Sequence, residues 1–537
     1  MRYIRKIPKG RGLNEPILHG DHPRPVTRRQ MLSAGLITGS ATVFVPGLLT
    51  SRSARANGQT VLDDLAGIGS NACGIQPGAG MVPFIAFDLS GGANIAGSNV
   101  LIGKQGGQQD FLSTAGYSKL GLPGNMTPNL PNQIDQSFGL AFHIDSAILR
   151  GMKMRATSPI TAANTNGAII AARSENDTGN NPHNPMYGIA RTGARGELLT
   201  LIGSVSSDSG GNSMAPAAMM NPKIRPTKVD RASDVTGLVD TGELGTLFLS
   251  GSGPAARDAA AAKAVSVMES MAVLTDLKHG RVNANPLSVP GIDDPAIKEF
   301  NKCGYVKSAY LAAQFTDPAA LNPDVDPDIV GPGGIWTQAE YSGDGEFRKT
   351  AAVMKMVIDG NAGAGTVQMG GFDYHTGDRS TGEARDLRAG QCIGACLEYA
   401  ARKGKPLMIY VFSDGSLSSS GMIDSSTGGR DKGVWTGDNQ STAASVMLVY
   451  RPTAPPVMLP NGTNGPRNQI GWFSADGSVA TNSHPGANSV NQLVEVVILN
   501  YLALHGRVGD FSGPTGLFPT NGLGSQLDNW TAFAPFA

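Results

Sequence analysis

Cysteine is scarce in this chain, with four among 537 residues, too few for a disulfide scaffold. Aromatic residues make up 6%, so a core must be packed mainly from Ala, Val, Leu, Ile and Met. Charged residues amount to 16% and the formal net charge is zero; no basic surplus exists to hold nucleic acid. Beyond the N-terminal stretch no apolar run is long enough to cross a bilayer. A Walker A loop, a dinucleotide fingerprint, zinc-finger Cys/His spacing and a Ser-His-Asp order are all missing. "GIGSNACG" and "GSGPAARDAA" are glycine-rich but lack the strand-turn-helix setting of a nucleotide loop.

What is present begins at the N-terminus. Arg28 and Arg29 in "TRRQMLSAG" precede a modest apolar run and an Ala-x-Ala site at Ala54 and Ala56. Residues 1–56 therefore read as a twin-arginine signal peptide, with the twin-arginine translocase as partner and the periplasm or exterior as destination. The alternative, a membrane anchor, is interrupted by Gly35, Gly39, Pro46 and Gly47. No membrane span is expected after signal removal. The leader holds ten Lys or Arg and two Asp or Glu, so the 43 of each sign in the whole chain leave residues 57–537 with eight excess acids. That remainder reads as one large α/β domain. Its 71 glycines and 34 prolines, counted over the whole chain, imply long loops, read here as insertions at about 100–135 and 156–230.

"GMVPFIAFDLSGGAN" predicts a buried strand, Pro83 to Phe87, running into a glycine-rich turn. Helical patches are expected near "NGAIIAARS" and "MYGIAR", and a long helix in 254–280 closing on Lys-His-Gly. A second helix is expected in "PAIKEFNKCGYVKSAYLAAQF", and "NPDVDPDIVGPGG" reads as a solvated linker. From residue 345 helices and short apolar strands alternate: "EFRKTAAVMKMVIDG", "GAGTVQMG", 381–403, "KPLMIYVF", "ASVMLVY" and "NSVNQLVEVVILNYLALHG". Such alternation predicts a mostly parallel sheet flanked by helices. Cys392 and Cys396 share one helix face as small core residues, whereas Cys73 and Cys303 are free to pair after export.

Ligands of parallel sheets gather beyond the carboxyl ends of the strands. Asp88, Asp373 with His375, and Asp414 each fall at such an end, and Asp431 follows in a later loop. These acids and the histidine could bind a divalent ion, Zn, Ca or Mg. Each acid alone could equally cap the next helix, but His375 adds nothing to a cap. The serines of "GSLSSSG" read as a flexible loop, and His183 and His484 as surface or capping residues.

The stretches "FDLSGGAN", "HNPMYG", "GGFDYH", "VFSDGS" and "GGRDKGVW", in this order behind the leader, resemble the bacterial family of unknown function numbered 1501. That family is a sulfatase-like, distant member of the alkaline phosphatase superfamily. The resemblance implies an alkaline-phosphatase-like fold and a metal-dependent phosphate or sulfate ester hydrolase, with Asp88, Asp373, His375 and Asp431 as metal ligands. Three positions depart from the family pattern. Asn94 stands where a nucleophilic hydroxyl or an acid is expected, Asp414 where a longer acid is followed by arginine, and Lys432 where the family has histidine. Lys432 either replaces one ion of a two-metal site and clamps an anion, or closes an internal ion pair with Asp431 or Asp373. The rival reading is an inactive envelope protein on the same fold, binding a glycan or acting structurally. A third is a metal that only clips loops together, and a site with no metal at all completes the range.

Overall fold

The computed structural model describes residues 80–174, 182–239 apart from 206, 208–213 and 222–223, residues 251–281, single positions at 248 and between 294 and 317, and residues 318–536. The leader, Cys73, Cys303 and most of the second helix expected after residue 294 lie outside the described residues. Contacts divide the chain into two compact units, residues 1–74 with 241–316, and residues 75–240 with 317–537.

The first unit contributes a helix, Pro254–His279, with proline in its first turn, where its missing amide costs nothing, and Lys278 and His279 in its last, where basic groups suit the C-terminal end of the helix dipole. Within it Thr275 and Tyr305 hydroxyls meet at 2.8 Å.

The second unit holds the α/β fold. Its strands are β1 (Phe84–Leu89), β2 (Ile134–Asp135), β3 (Phe142–His143), β4 (Thr165–Ala171), β5 (Leu199–Gly203), β6 (Thr227–Lys228), β7 (Ala362–Met369), β8 (Leu407–Phe412), β9 (Leu417–Asp424), β10 (Lys432–Asp438), β11 (Ala444–Tyr450) and β12 (Gln469–Ile470). Eight form one sheet in the order β12-β4-β11-β8-β1-β7-β5-β6. Only β11 opposes its neighbours β4 and β8; the remaining pairs are parallel. The α/β class and the mostly parallel sheet expected from the alternation are therefore present.

Helices cover both faces: α1 (Ala147–Arg155), α2 (Met186–Arg191), α3 (Gly345–Ile358), α4 (Ser380–Lys403) and α5 (Val490–Leu504). Coverage on both sides explains why β1, β7 and β8 are apolar runs without alternation, buried at every position. Phe84, Ala86, Ala364, Met408, Tyr410 and Phe412 form one core with α2 and α5. On the other face, Gly365 lies against Val353 and Val357 of α3. Helices α1 and α4 touch backbone to backbone: a Cβ on Gly390 would meet the Ile148 carbonyl at 2.1 Å, and one on Gly151 the Leu387 carbonyl at 2.1 Å.

Four local expectations are corrected. "NGAIIAARS" is not helical; its core is strand β4, since burial between β11 and β12 overrides its alanine content. Residues 156–230 are not a detached insertion, because they supply β4, β5 and β6 to the sheet. The serine run is not a free loop: from Leu417 it is strand β9, paired with β10. The supposed linker at 322–334 is only partly solvated, because Asp326 is buried against Lys355 at 2.7 Å and Tyr399 at 2.9 Å. Residues 100–135 also bury Leu101, Ile102, Tyr117, Leu120 and Leu122, too irregularly spaced among Gly and Pro to show a period. Among the described residues no helix is long and apolar enough to cross a membrane.

Candidate metal and ligand site at the carboxyl edge of the sheet

Beyond β7 the chain turns at Gly371 (φ +88), and from Phe372 its side chains alternate between buried and exposed. Phe372 and Tyr374 are buried while Asp373 and His375 point outward, which puts the carboxylate and the imidazole on one face. Two anchors hold this segment. On one side the Phe372 amide donates to the Ser90 carbonyl at 3.1 Å, and Gly91 (φ +117) lets the backbone of Asp373 approach. On the other, Gly377 donates to the Trp435 carbonyl and Trp435 donates to the Asp378 carbonyl, each at 3.3 Å. Inside, the Tyr374 hydroxyl donates to Asp386 at 2.9 Å and accepts from the Asn94 amide at 3.2 Å.

The bond to Trp435 has a consequence three residues later. Strand β10 continues past the loop and ends on Asp438, whose Oδ1 lies 3.5 Å from His375 Nε2; Asp373 Oδ1 lies 2.7 Å from the same nitrogen. The ligand atoms of Asp373, His375 and Asp438 all lie within 4.8 Å of one another, and no other such group occurs among the described residues. Two carboxylates and one imidazole, all partly exposed, fit a divalent cation that keeps open positions for water. Asp438 was not expected from the sequence. The signal was its place at the end of the apolar "GVW" strand, but only the pairing of β10 with β9 and the loop aims it at His375.

The other expected residues are placed as follows. Asp88 is fully buried inside β1, not beyond it, and accepts from Ser90 Oγ at 2.7 Å; Ser90 in turn accepts from Gln368 Nε2 at 2.7 Å. Asp414 is buried just after β8 and accepts from the Gly91 amide at 2.7 Å. Asn94 is fully buried; its amide donates to the Leu417 carbonyl at 3.2 Å and accepts from Ser98 at 3.4 Å. Asp431 is exposed at the opposite end of β10 from Asp438, about 20 Å along the strand, in a turn where Arg430 and Asp431 have φ of 59° and 56°. The structure therefore does not bring Asp431 to Asp373 and His375.

Lys432 is fully buried, and neither expected partner is its own. It donates to Glu383 at 2.8 Å and to the Asp145 carbonyl at 2.6 Å, with the Asp145 carboxylate at 3.3 Å. Arg379 joins the same cluster, bonded to Glu383 at 2.9 Å with its guanidinium 4.4 Å from the centre of Trp435. Burial works to raise the Glu383 pKa, but Arg379 and then Lys432 outweigh it and hold it below the usual range. Asp386, one turn further on, is pushed up to about 7 by burial first and also by the charge of Glu383, against hydrogen bonds from Asn99 and Tyr374.

The two histidines read as surface or capping residues are both buried. His484 does cap, accepting from the Gly486 amide at 3.2 Å, and its Nε2 meets the Ala171 carbonyl at 2.7 Å. His183 stacks on Phe412 with ring centres 5.8 Å apart, and neither ring nitrogen has a hydrogen-bond partner among the described residues. Burial alone lowers its pKa to about 3. Cys392 and Cys396 are buried free thiols in the core.

Beside Asp438 lies a pocket of about 560 Å³ lined by Arg173 and Ser174 from the end of β4, Gly415 and Ser416 from the end of β8, and the turn Asp438–Ser441. No protein-family profile, curated protein or solved structure matches the chain.

Proposed function

We propose that this chain is an exported envelope protein that hydrolyses phosphate or sulfate esters with a single divalent ion held by Asp373, His375 and Asp438. One observation carries the reading: two carboxylates and an imidazole converge within 4.8 Å at the carboxyl edge of a parallel sheet, where such folds bind their ligands. The likeness to the 1501 family and to the alkaline-phosphatase architecture belongs to the same proposal. It is supported by the ordered motifs and by the mostly parallel sheet.

A bound divalent ion would polarise the ester oxygen and acidify a water. The chain's own residues hold the site. Tyr374 fixes the loop from beneath, Gly91 admits the Asp373 backbone, and Trp435 sets the register that carries Asp438 to His375. Asn94 is a buried amide and no nucleophile, so water is the attacking group and no covalent intermediate forms. The second reading, an inactive binding protein on the same fold, is favoured by Asn94 and by Lys432, whose charge is spent on Glu383 and Asp145.

Elemental mass spectrometry of the folded chain, never exposed to chelator, should find about one ion per chain. That ion should disappear in Asp373→Ala/His375→Ala and in Asp438→Ala, with the fold unchanged. Metal-free wild-type protein, or ester hydrolysis equal in all three proteins, rejects the hydrolase reading.

A further inference from the structure

Arg173 follows β4 at the carboxyl edge of the sheet. Its guanidinium is held by two neutral amides, donating to Asn488 Oδ1 at 3.0 Å and to Gln440 Oε1 at 3.5 Å. No carboxylate pairs with it among the described residues, and its buried Nε has no hydrogen-bond partner. Next to it Ser174 is 2% exposed, and its hydroxyl has no partner among the described residues either. Both residues line the 560 Å³ pocket. Among the described residues, an arginine kept in place without an anion, beside a buried hydroxyl with no hydrogen-bond partner, leaves polar capacity unused. Buried donors left unpaired are costly, so an arrangement retaining two of them side by side fits an occupant that satisfies them.

The remaining walls describe that occupant. Gly415 and Ser416, Asn439, Gln440 and Ser441 offer amides and hydroxyls, and no aromatic or aliphatic side chain is among the lining residues. The turn is rigid: the Asn439 amide donates to the Ser416 carbonyl at 2.8 Å, and Asn439 Oδ1 accepts from Ser441 Oγ at 2.6 Å. A volume of this size suits a small molecule, and a mainly polar lining suits a polyol rather than a lipid or an aromatic compound. Guanidinium and hydroxyl donors together suit a tetrahedral oxyanion.

We propose that Arg173 and Ser174 form an oxyanion subsite that binds the phosphate or sulfate group of a small hydroxylated ester, with the polyol part against Asn439, Gln440 and Ser441. The inference rests on the proposed function for the ester's fate at the neighbouring triad; the subsite itself needs no metal. Asp438 belongs to both places. Its carboxylate opposes an anion in the pocket, and a cation on the triad offsets that charge. Metal and oxyanion should therefore bind with positive, reciprocal coupling.

Isothermal titration calorimetry of the full mature chain with inorganic phosphate and, separately, inorganic sulfate tests the subsite. Wild type should bind at least one of the two, and the pair of titrations assigns which oxyanion is preferred. Arg173→Gln should weaken binding at least tenfold and Arg173→Lys less. Ser174→Val, which fills the orphaned hydroxyl position, should also weaken it, and carries the test if Arg173→Gln does not fold. Asp373→Ala/His375→Ala should still bind the oxyanion in an Arg173-dependent way but lose any enhancement by added divalent metal. If the metal reading fails, oxyanion binding therefore persists; if the subsite fails, metal binding persists. No binding of either anion by wild type, or equal binding by folded Arg173→Gln and Ser174→Val, overturns the proposal.

Discussion

Lys432 shows how far a residue's surroundings decide its role. As a position in "GGRDKGVW" it resembles a substituted metal ligand; in the fold it is the buried centre of an ion cluster with Glu383, Asp145 and Arg379. Two carboxylates within 3.3 Å keep its ammonium away from any substrate. Lys432→Met would leave Glu383 with Arg379 and Arg150, and Asp145 with Arg430 and Arg150. The cost should accordingly sit near the low end for breaking a buried pair, about 3 kcal/mol. Chemical denaturation reads that loss, and metal content should be unchanged. Loss of metal at unchanged stability would return Lys432 to the site. Nothing near Lys432 in the sequence announces this outcome, because Asp145 lies 287 residues before it.

At the scale of elements, the site depends on two connections at the end of the sheet. The turn after β1 needs Gly91 because its φ is +117°, and a Cβ there would meet the Asp373 amide nitrogen at 2.7 Å. Gly91→Ala should push the Asp373 loop outward and weaken metal binding roughly 10- to 100-fold, as loss of a supporting contact does. Competition with a metal-sensitive dye measures it, and unchanged affinity would detach β1 from the site. Strands β1, β7, β8 and β11 and helices α3, α4 and α5 are legible in the sequence because each is a long apolar or amphipathic run with its own stop. Strand β4 is not, since two adjacent isoleucines flanked by alanines satisfy a helix or a buried strand equally well. Strand β9 is hidden for a different reason: serine and glycine carry no apolar period, and only pairing with β10 makes them a strand.

For the molecule as a whole, acid stability follows from its buried titratable groups. Burial lowers the pKa of His143, His484 and His505 to about 4 and of His183 to about 3. For His143 the charge of Lys432 adds to the effect, for His505 that of Arg507 does, and for His484 the bond to the Ala171 carbonyl opposes it. Unfolded histidine takes up its proton near pH 6.5, so these four favour the folded state above that value and the advantage is lost on acidification. Asp386 acts in the opposite sense. Its folded pKa of about 7 makes it favour folding at low pH and oppose it as pH rises from about 4 to 7. Glu495, whose carboxyl pKa burial also raises, sides with Asp386, while Glu383 and Asp145, held low, side with the histidines; the melting temperature should fall between pH 7 and 4.5, and Asp386→Asn should steepen that fall. A shallower fall in the variant would contradict the assignment.

The sequence by itself determined the alternation of strands and helices, the placement of Asp373 and His375 just beyond a strand, and the core position of Cys392 and Cys396. These follow from periodicity and chain punctuation, which are properties of neighbouring residues. The tertiary structure alone decided that Asp438 rather than Asp431 joins His375, that Lys432 belongs to Glu383 and Asp145, and that Arg173 lines a polar pocket with no carboxylate partner among the described residues. Each depends on segments far apart in the chain meeting in the fold, and local pattern carries no record of such pairings.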